Sequence, residues 1–192
     1  MTAMKKIIIV VLMFLNGFYS NGQKKIKFST QNYVGFLAGS SDNALQLQTI
    51  NGVAFQKWFT GIGTGIDWYY QRSVPVFFTA ERGFSVTQKK DIYFAASAGA
   101  NFPWKNSNYY NDWSWWSSSE LETGFYWNAG IGYKINVGKR DDAVLLNLGF
   151  SNKFFKEKIS SSYPCLVAPC PVTTESFNYN LRAVSVKLGY GF

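Results

Sequence analysis

Between Trp58 and Tyr70 the residue character changes at every step, and the two faces this defines strongly restrict the fold. Even positions carry Trp58, Thr60, Ile62, Thr64, Ile66, Trp68 and Tyr70; odd positions carry Phe59, Gly61, Gly63, Gly65, Asp67 and Tyr69. A period of two is that of a β-strand. In a half-buried soluble strand the second face would carry solvating charge, whereas glycine solvates almost nothing and weakens a strand, so this face suits a crowded interior. The apolar face, bounded by aromatics, then meets lipid. Trp58 to Trp68 covers about 33 Å along a strand, or roughly 25 Å vertically at a tilt of about 40°, which matches a lipid band between two aromatic girdles.

The same parity recurs along the chain. Ile92 to Ala100, Phe125 to Ile135, Val144 to Phe150 and Val184 to Phe192 each set an apolar series against Gly, Ser, Asn, Ala or Lys, joined by Tyr93, Tyr126 and Leu145. None of these apolar series contains a charge, consistent with a cost of about 2 to 4 kcal/mol for each Arg or Lys at the bilayer midplane. Asn32 to Gly39, Asn43 to Phe55 and Val74 to Arg82 complete the count. Pro75 stands at a strand start, where a missing donor is tolerated. The pattern predicts an all-β fold, an eight-stranded antiparallel up-and-down transmembrane β-barrel, with the even strand number of a single-chain bacterial barrel. Its connections fall at Ser40 to Asp42, near Gln56, at Gln71 to Ser73, Gly83 to Lys90, Pro103 to Leu121, Asn136 to Asp141 and Phe154 to Phe177. The two longest lie on one side, opposite both termini. Long loops are extracellular in such barrels, which predicts periplasmic termini.

Residues 1–22 read as an export signal. Lys5 and Lys6 give the positive start, Ile7 to Leu15 the apolar core, and Ser20-Asn21-Gly22 a small-residue cleavage site, leaving residues 23–192 as the barrel domain. No later stretch approaches the roughly 18 apolar residues of a spanning helix. The 19 basic and 11 acidic residues give a formal charge of +8, and the scattered lysines suit an exported surface better than a nucleic-acid partner. Histidine is absent, which removes His-based triads, imidazole bases and the usual zinc sites, so neither a metal nor a cofactor is expected.

Thr49-Ile50-Asn51-Gly52, the run Gly61 to Asp67, Gly130-Ile131-Gly132-Tyr133 and the ending Val186-Lys187-Leu188-Gly189-Tyr190-Gly191-Phe192 resemble the small outer-membrane β-barrel family of Bacteroidota, akin to the OmpX and OmpA-barrel type. The likeness covers about Gln31 to Phe192. It implies insertion into the outer membrane of a Gram-negative bacterium and no shared catalytic residues. The alternating end with Val186, Leu188, Tyr190 and Phe192 resembles the signal read by the outer-membrane insertion machinery, a partner the resemblance implies alongside outer-membrane lipid.

Inward parity assigns Asp67, Glu81, Glu122, Lys134 and Lys187 to a lumen charge network, since eight strands leave an interior just wide enough for side chains. Trp58, Trp68, Tyr70, Trp127, Tyr133 and Tyr190 form the expected aromatic girdle. Tyr109, Tyr110, Trp113, Trp115 and Trp116, among Asn and Ser, either recognise a host or surface ligand from an exposed loop or cap the girdle. Cys165 and Cys170, flanked by Pro164 and Pro171, suit one local disulfide in an oxidising compartment. The glycines at 61, 63 and 65 lie within a strand and lack the strand-turn-helix context of a phosphate loop. These features predict a non-enzymatic barrel displaying loops for adhesion or recognition. The alternatives are a soluble lipocalin-like barrel with a hydrophobic ligand, in which the glycine-rich parity would face solvent, and a membrane-embedded lipid-modifying enzyme.

Overall fold

The computed structural model describes residues 26–40, 42–104, 117–137, 142–162, 165 and 170–192. Among them the alternation becomes nine strand segments. These are β1 (Lys27–Gly39), β2 (Asn43–Phe55), β3 (Trp58–Asp67), β4 (Ser73–Thr87), β5 (Lys90–Pro103), β6 (Ser117–Glu122), β7 (Gly124–Asn136), β8 (Ala143–Ser162) and β9 (Val172–Gly191). β6 and β7 follow one another across Thr123 and both pair with β8, so they form a single stave. Neighbouring staves are antiparallel, and β9 closes the ring by pairing with both β8 and β1. The chain is an eight-stave up-and-down barrel, as the alternation predicts.

The register fixes the barrel's shape. From Phe55 the outward-facing partners run through Trp58, Arg82, Phe94, Ile131, Leu148, Val186 and Phe36 to Leu45, returning to β2 ten residues from the start. With strands about 4.8 Å apart and a rise of about 3.3 Å per residue, that stagger over eight staves tilts them about 40° from the axis. The sequence estimate of the lipid band assumed this tilt.

Burial follows parity. Ile62, Phe78, Phe94, Leu148 and Leu188 on the outside are all more than half exposed, whereas Phe59, Phe77, Tyr93 and Leu145 on the inside are nearly sealed. The glycine-rich parity of β3 is therefore interior, the reverse of what a soluble lipocalin-like barrel needs. Gly52 and Gly61 face each other across β2 and β3, and a Cβ on Gly61 would stand 2.6 Å from Asn51 O and 3.0 Å from Gly52 Cα. Close backbone approach is required there, so Gly61→Val is expected to cost about 1 to 3 kcal/mol, measured by urea unfolding in vesicles.

Several boundaries differ from the sequence reading. β3 stops at Asp67, whose Oδ1 accepts the Tyr69 N–H at 2.7 Å, and Tyr70 turns into the left-handed region at φ 57°. Trp68 and Tyr70 thus belong to a turn and not to the strand. β4 and β5 continue to a two-residue turn at Gln88 and Lys89, replacing the expected loop from Gly83 to Lys90. The expected loop from Phe154 to Phe177 is largely strand, because β8 and β9 stay paired from Phe154↔Asn180 up to Ser162↔Val172. The signal segment, residues 1–22, lies outside the described residues.

Candidate functional site

Two places could carry function: the lumen, and the part of β6, β8 and β9 that outruns the ring. Between its two ends the lumen is occupied. Toward the end that holds both termini, Tyr33, Ile50, Phe59, Phe77, Tyr93 and Tyr126 pack together; toward the far end Leu37, Ala44, Tyr69, Phe155 and Leu181 do so. Polar side chains thread between these clusters, each directed inward by the strand parity.

The predicted charges separate into distinct environments. Asp67 is buried and pairs with Lys153, whose Nζ lies 3.1 Å from Oδ1 and also donates to Gln71 O at 2.8 Å and Ser73 Oγ at 3.3 Å. Lys153 is the ion-pair partner the sequence reading missed. It continues the inward series Leu145, Asn147, Gly149, Ser151 by one step, so extending the alternation would have found it. Lys187 is buried and donates to the amide oxygens of Gln48 at 3.3 Å and Asn128 at 3.2 Å. Glu81 is buried and accepts from Gln31 Nε2 at 3.0 Å, while Gln31 Oε1 accepts from Tyr33 OH at 2.8 Å. Lys134, half-buried, stands directly across from Asp91 near the terminal end.

Glu122 does not reach the lumen. Tyr126 pairs with Lys153 but Glu122 with Lys156, four residues on one stave against three on the other, so Thr123 is an extra residue. A bulge of one residue exchanges inside and outside. Ser119 and Leu121 take the inner face, while Glu122 forms an ion pair with Lys158 on the outer one. The hydrogen bond from Lys158 holds the Glu122 carboxyl below its usual range and raises Lys158 in turn.

The aromatics expected to form a girdle sit at both ends. Trp58, Tyr133 and Tyr190 lie toward the termini, with the Arg82 guanidinium 5.1 Å from the Trp58 ring centre. Trp68, Tyr70 and Trp127 lie toward the far end, where Trp127 packs on Phe150 at 5.7 Å. Val186, Leu188 and Tyr190 face outward along β9, and Phe192 exchanges both backbone hydrogen bonds with Thr30, at 2.8 and 3.0 Å.

Beyond the ring, β6, β8 and β9 form a three-stranded sheet. Its inner face is braced by Glu157, which accepts from Ser119 Oγ at 2.7 Å and Tyr179 OH at 3.1 Å, and by Phe155 stacked on Tyr179 at 4.7 Å. Burial and the Glu157 carboxylate both push the Tyr179 phenol above its usual range. Cys165 and Cys170 are disulfide-bonded at the tip. This bridge closes a short loop beyond the last strand pair, so Cys165→Ser with Cys170→Ser should leave the folded, heat-modifiable gel band unchanged. Tyr109, Tyr110, Trp113, Trp115 and Trp116 lie outside the described residues.

No protein-family model matches the sequence, and no curated protein does. Among solved structures the chain is similar to Neisserial surface protein A, with a TM-score of 0.58 and 12% identity over 88% of this chain and 98% of that one. At that identity the shared property is the barrel fold.

Proposed function

We propose that this chain is a non-enzymatic integral barrel of the outer membrane of a Gram-negative bacterium, with periplasmic termini, that carries a stiff polar sheet outside the cell for adhesion or surface recognition. The observation that carries this reading is the outward belt. Between Arg82 at one rim and Arg182 at the other, the described outward positions of the ring hold no charge, an arrangement suited to lipid and costly in water. β8 and β9 then run on together from Phe154 to Ser162, about 26 Å of strand beyond the belt. There Lys156, Lys158, Ser160, Thr174 and Asn178 replace the apolar series.

Between its ends the lumen is filled by the two packed clusters, which supports a structural role over a lipid-modifying one, because acid–base chemistry on a lipid needs paired groups flanking a space that the lipid can enter. The similarity of Neisserial surface protein A in fold, and the sequence resemblance to small Bacteroidota barrels, fit the same placement. The aromatic segment around Trp113 and Trp115 precedes β6 in the sequence, and we assign it to the recognition surface.

The test uses two epitope insertions, one between Cys165 and Cys170 and one at Gln88–Lys89. Antibody should label intact cells only for the first and should need a permeabilised outer membrane for the second. The reversed pattern, or recovery of the protein in a salt-washed soluble fraction, would overturn the placement.

A further inference from the structure

We propose that the mouth of the barrel at its terminal end binds a small zwitterion, with its ammonium on Glu81 and its carboxylate on Lys57. This inference stands apart from the display role, which belongs to the opposite end. A cavity of about 150 Å³ opens here, lined by Gln31, Lys57, Phe59, Glu81, Gly83 and Tyr93 among others. One water needs about 10 to 15 Å³ measured this way, so the space takes a molecule on the order of ten water-sized groups, well beyond a single inorganic ion.

Glu81 supplies the chemistry. It is only 7% exposed, its Oε2 is held by Gln31, and its other oxygen has no protein partner among the described residues. Among those residues, too, no lysine or arginine makes an ion pair with it. Lys187 is committed to Gln48 and Asn128, while Lys134, which lines the same cavity together with its cross-strand neighbour Asp91, acts on Glu81 only through space, as Lys187 does. A buried carboxylate without a contacting counter-charge is costly, and an ammonium in the adjoining cavity would relieve that cost. Phe59 and Tyr93, both nearly sealed inside the ring, add aromatic surface of the kind that favours an organic ammonium over a strongly hydrated metal ion. At the rim, Lys57 lies on the two-residue turn between β2 and β3. Its carbonyl accepts the Gly83 N–H at 2.7 Å, which anchors the turn, while its side chain is exposed and available to a carboxylate.

Gly83 shows that the space is open. Elsewhere on the inner face a Cβ on Gly61, Gly63 or Gly130 would collide with the facing strand or ring; on Gly83 its nearest neighbour is Lys57 O at 3.6 Å. A side chain there fills the cavity without moving backbone.

The experiment titrates the refolded barrel in detergent micelles with 6-aminohexanoate, hexylamine and hexanoate, following backbone amide shifts of Gly83, Ser85 and Tyr93 by NMR. Saturable shifts are expected with 6-aminohexanoate, weaker binding with hexylamine and none with hexanoate. Glu81→Gln should weaken both amines at least about tenfold, and Lys57→Gln should weaken 6-aminohexanoate alone. Gly83→Leu should abolish binding while keeping heat-modifiable migration. The proposal falls if the wild-type barrel shows no saturable shift, if hexanoate binds as well as 6-aminohexanoate, or if folded Gly83→Leu binds normally. The three probes on wild-type protein decide the first two of these results by themselves, so a variant that fails to fold leaves the test intact.

Discussion

Replacing Ile62 or Leu146 with arginine should cost about 2 to 4 kcal/mol of folding stability in a bilayer. Ile62 sits mid-strand on β3, paired with Asn51 and Phe78 and 66% exposed on the outside of the ring; Leu146 occupies the same kind of position on β8 and is 50% exposed. In water such exposure would make arginine harmless, as surface substitutions usually stay within about 0.5 kcal/mol. In lipid the guanidinium must be dehydrated or must drag water and headgroups inward. The contrast is available within one strand, because Ser160 continues the outward parity of β8 above the belt. Reversible urea unfolding from vesicles should show a large loss for Leu146→Arg and almost none for Ser160→Arg. Equal stabilities would mean that the belt does not face lipid.

The same physics explains which parts of the fold could be read from sequence. Alternation is written where the two faces of a strand meet different surroundings, packed side chains inside and, in the proposed placement, lipid outside. Trp58 to Asp67 therefore declares its parity residue by residue, and the β2 boundaries, Asn43 and Phe55, are those expected. Above the belt one face meets water and the other a half-open mouth, so the contrast fades. Phe154 to Ser162 and Val172 to Phe177 look like loop for that reason, although the hairpin simply continues. The bulge at Thr123 is illegible for a different reason: a single extra residue leaves no compositional mark, yet it moved Glu122 from the inner to the outer face. Nor does parity say which inward residues meet across the ring. Asp67 and Lys153 are 86 positions apart on staves that are not neighbours, and only the closed register brings them together.

That pairing carries the second large effect. Lys153 Nζ has three donors and three acceptors in reach, Asp67 Oδ1, Gln71 O and Ser73 Oγ, so its ammonium is fully satisfied where water is excluded. Both side chains are only 2% exposed. Asp67→Asn leaves that ammonium with no counter-charge, and Lys153→Met leaves a carboxylate supported mainly by the Tyr69 N–H. Each single change is expected to cost about 3 to 5 kcal/mol, because one buried charge is stranded. The double variant should lose much less than the sum, since an amide beside a thioether strands no charge and the new amide oxygen can still accept the Tyr69 N–H. Double-mutant-cycle unfolding in vesicles measures the difference. Additive losses would show that the two side chains are stabilised independently. Strong coupling would show instead that one ion pair fastens β8 to the β3–β4 turn, fixing the base from which the outer sheet rises.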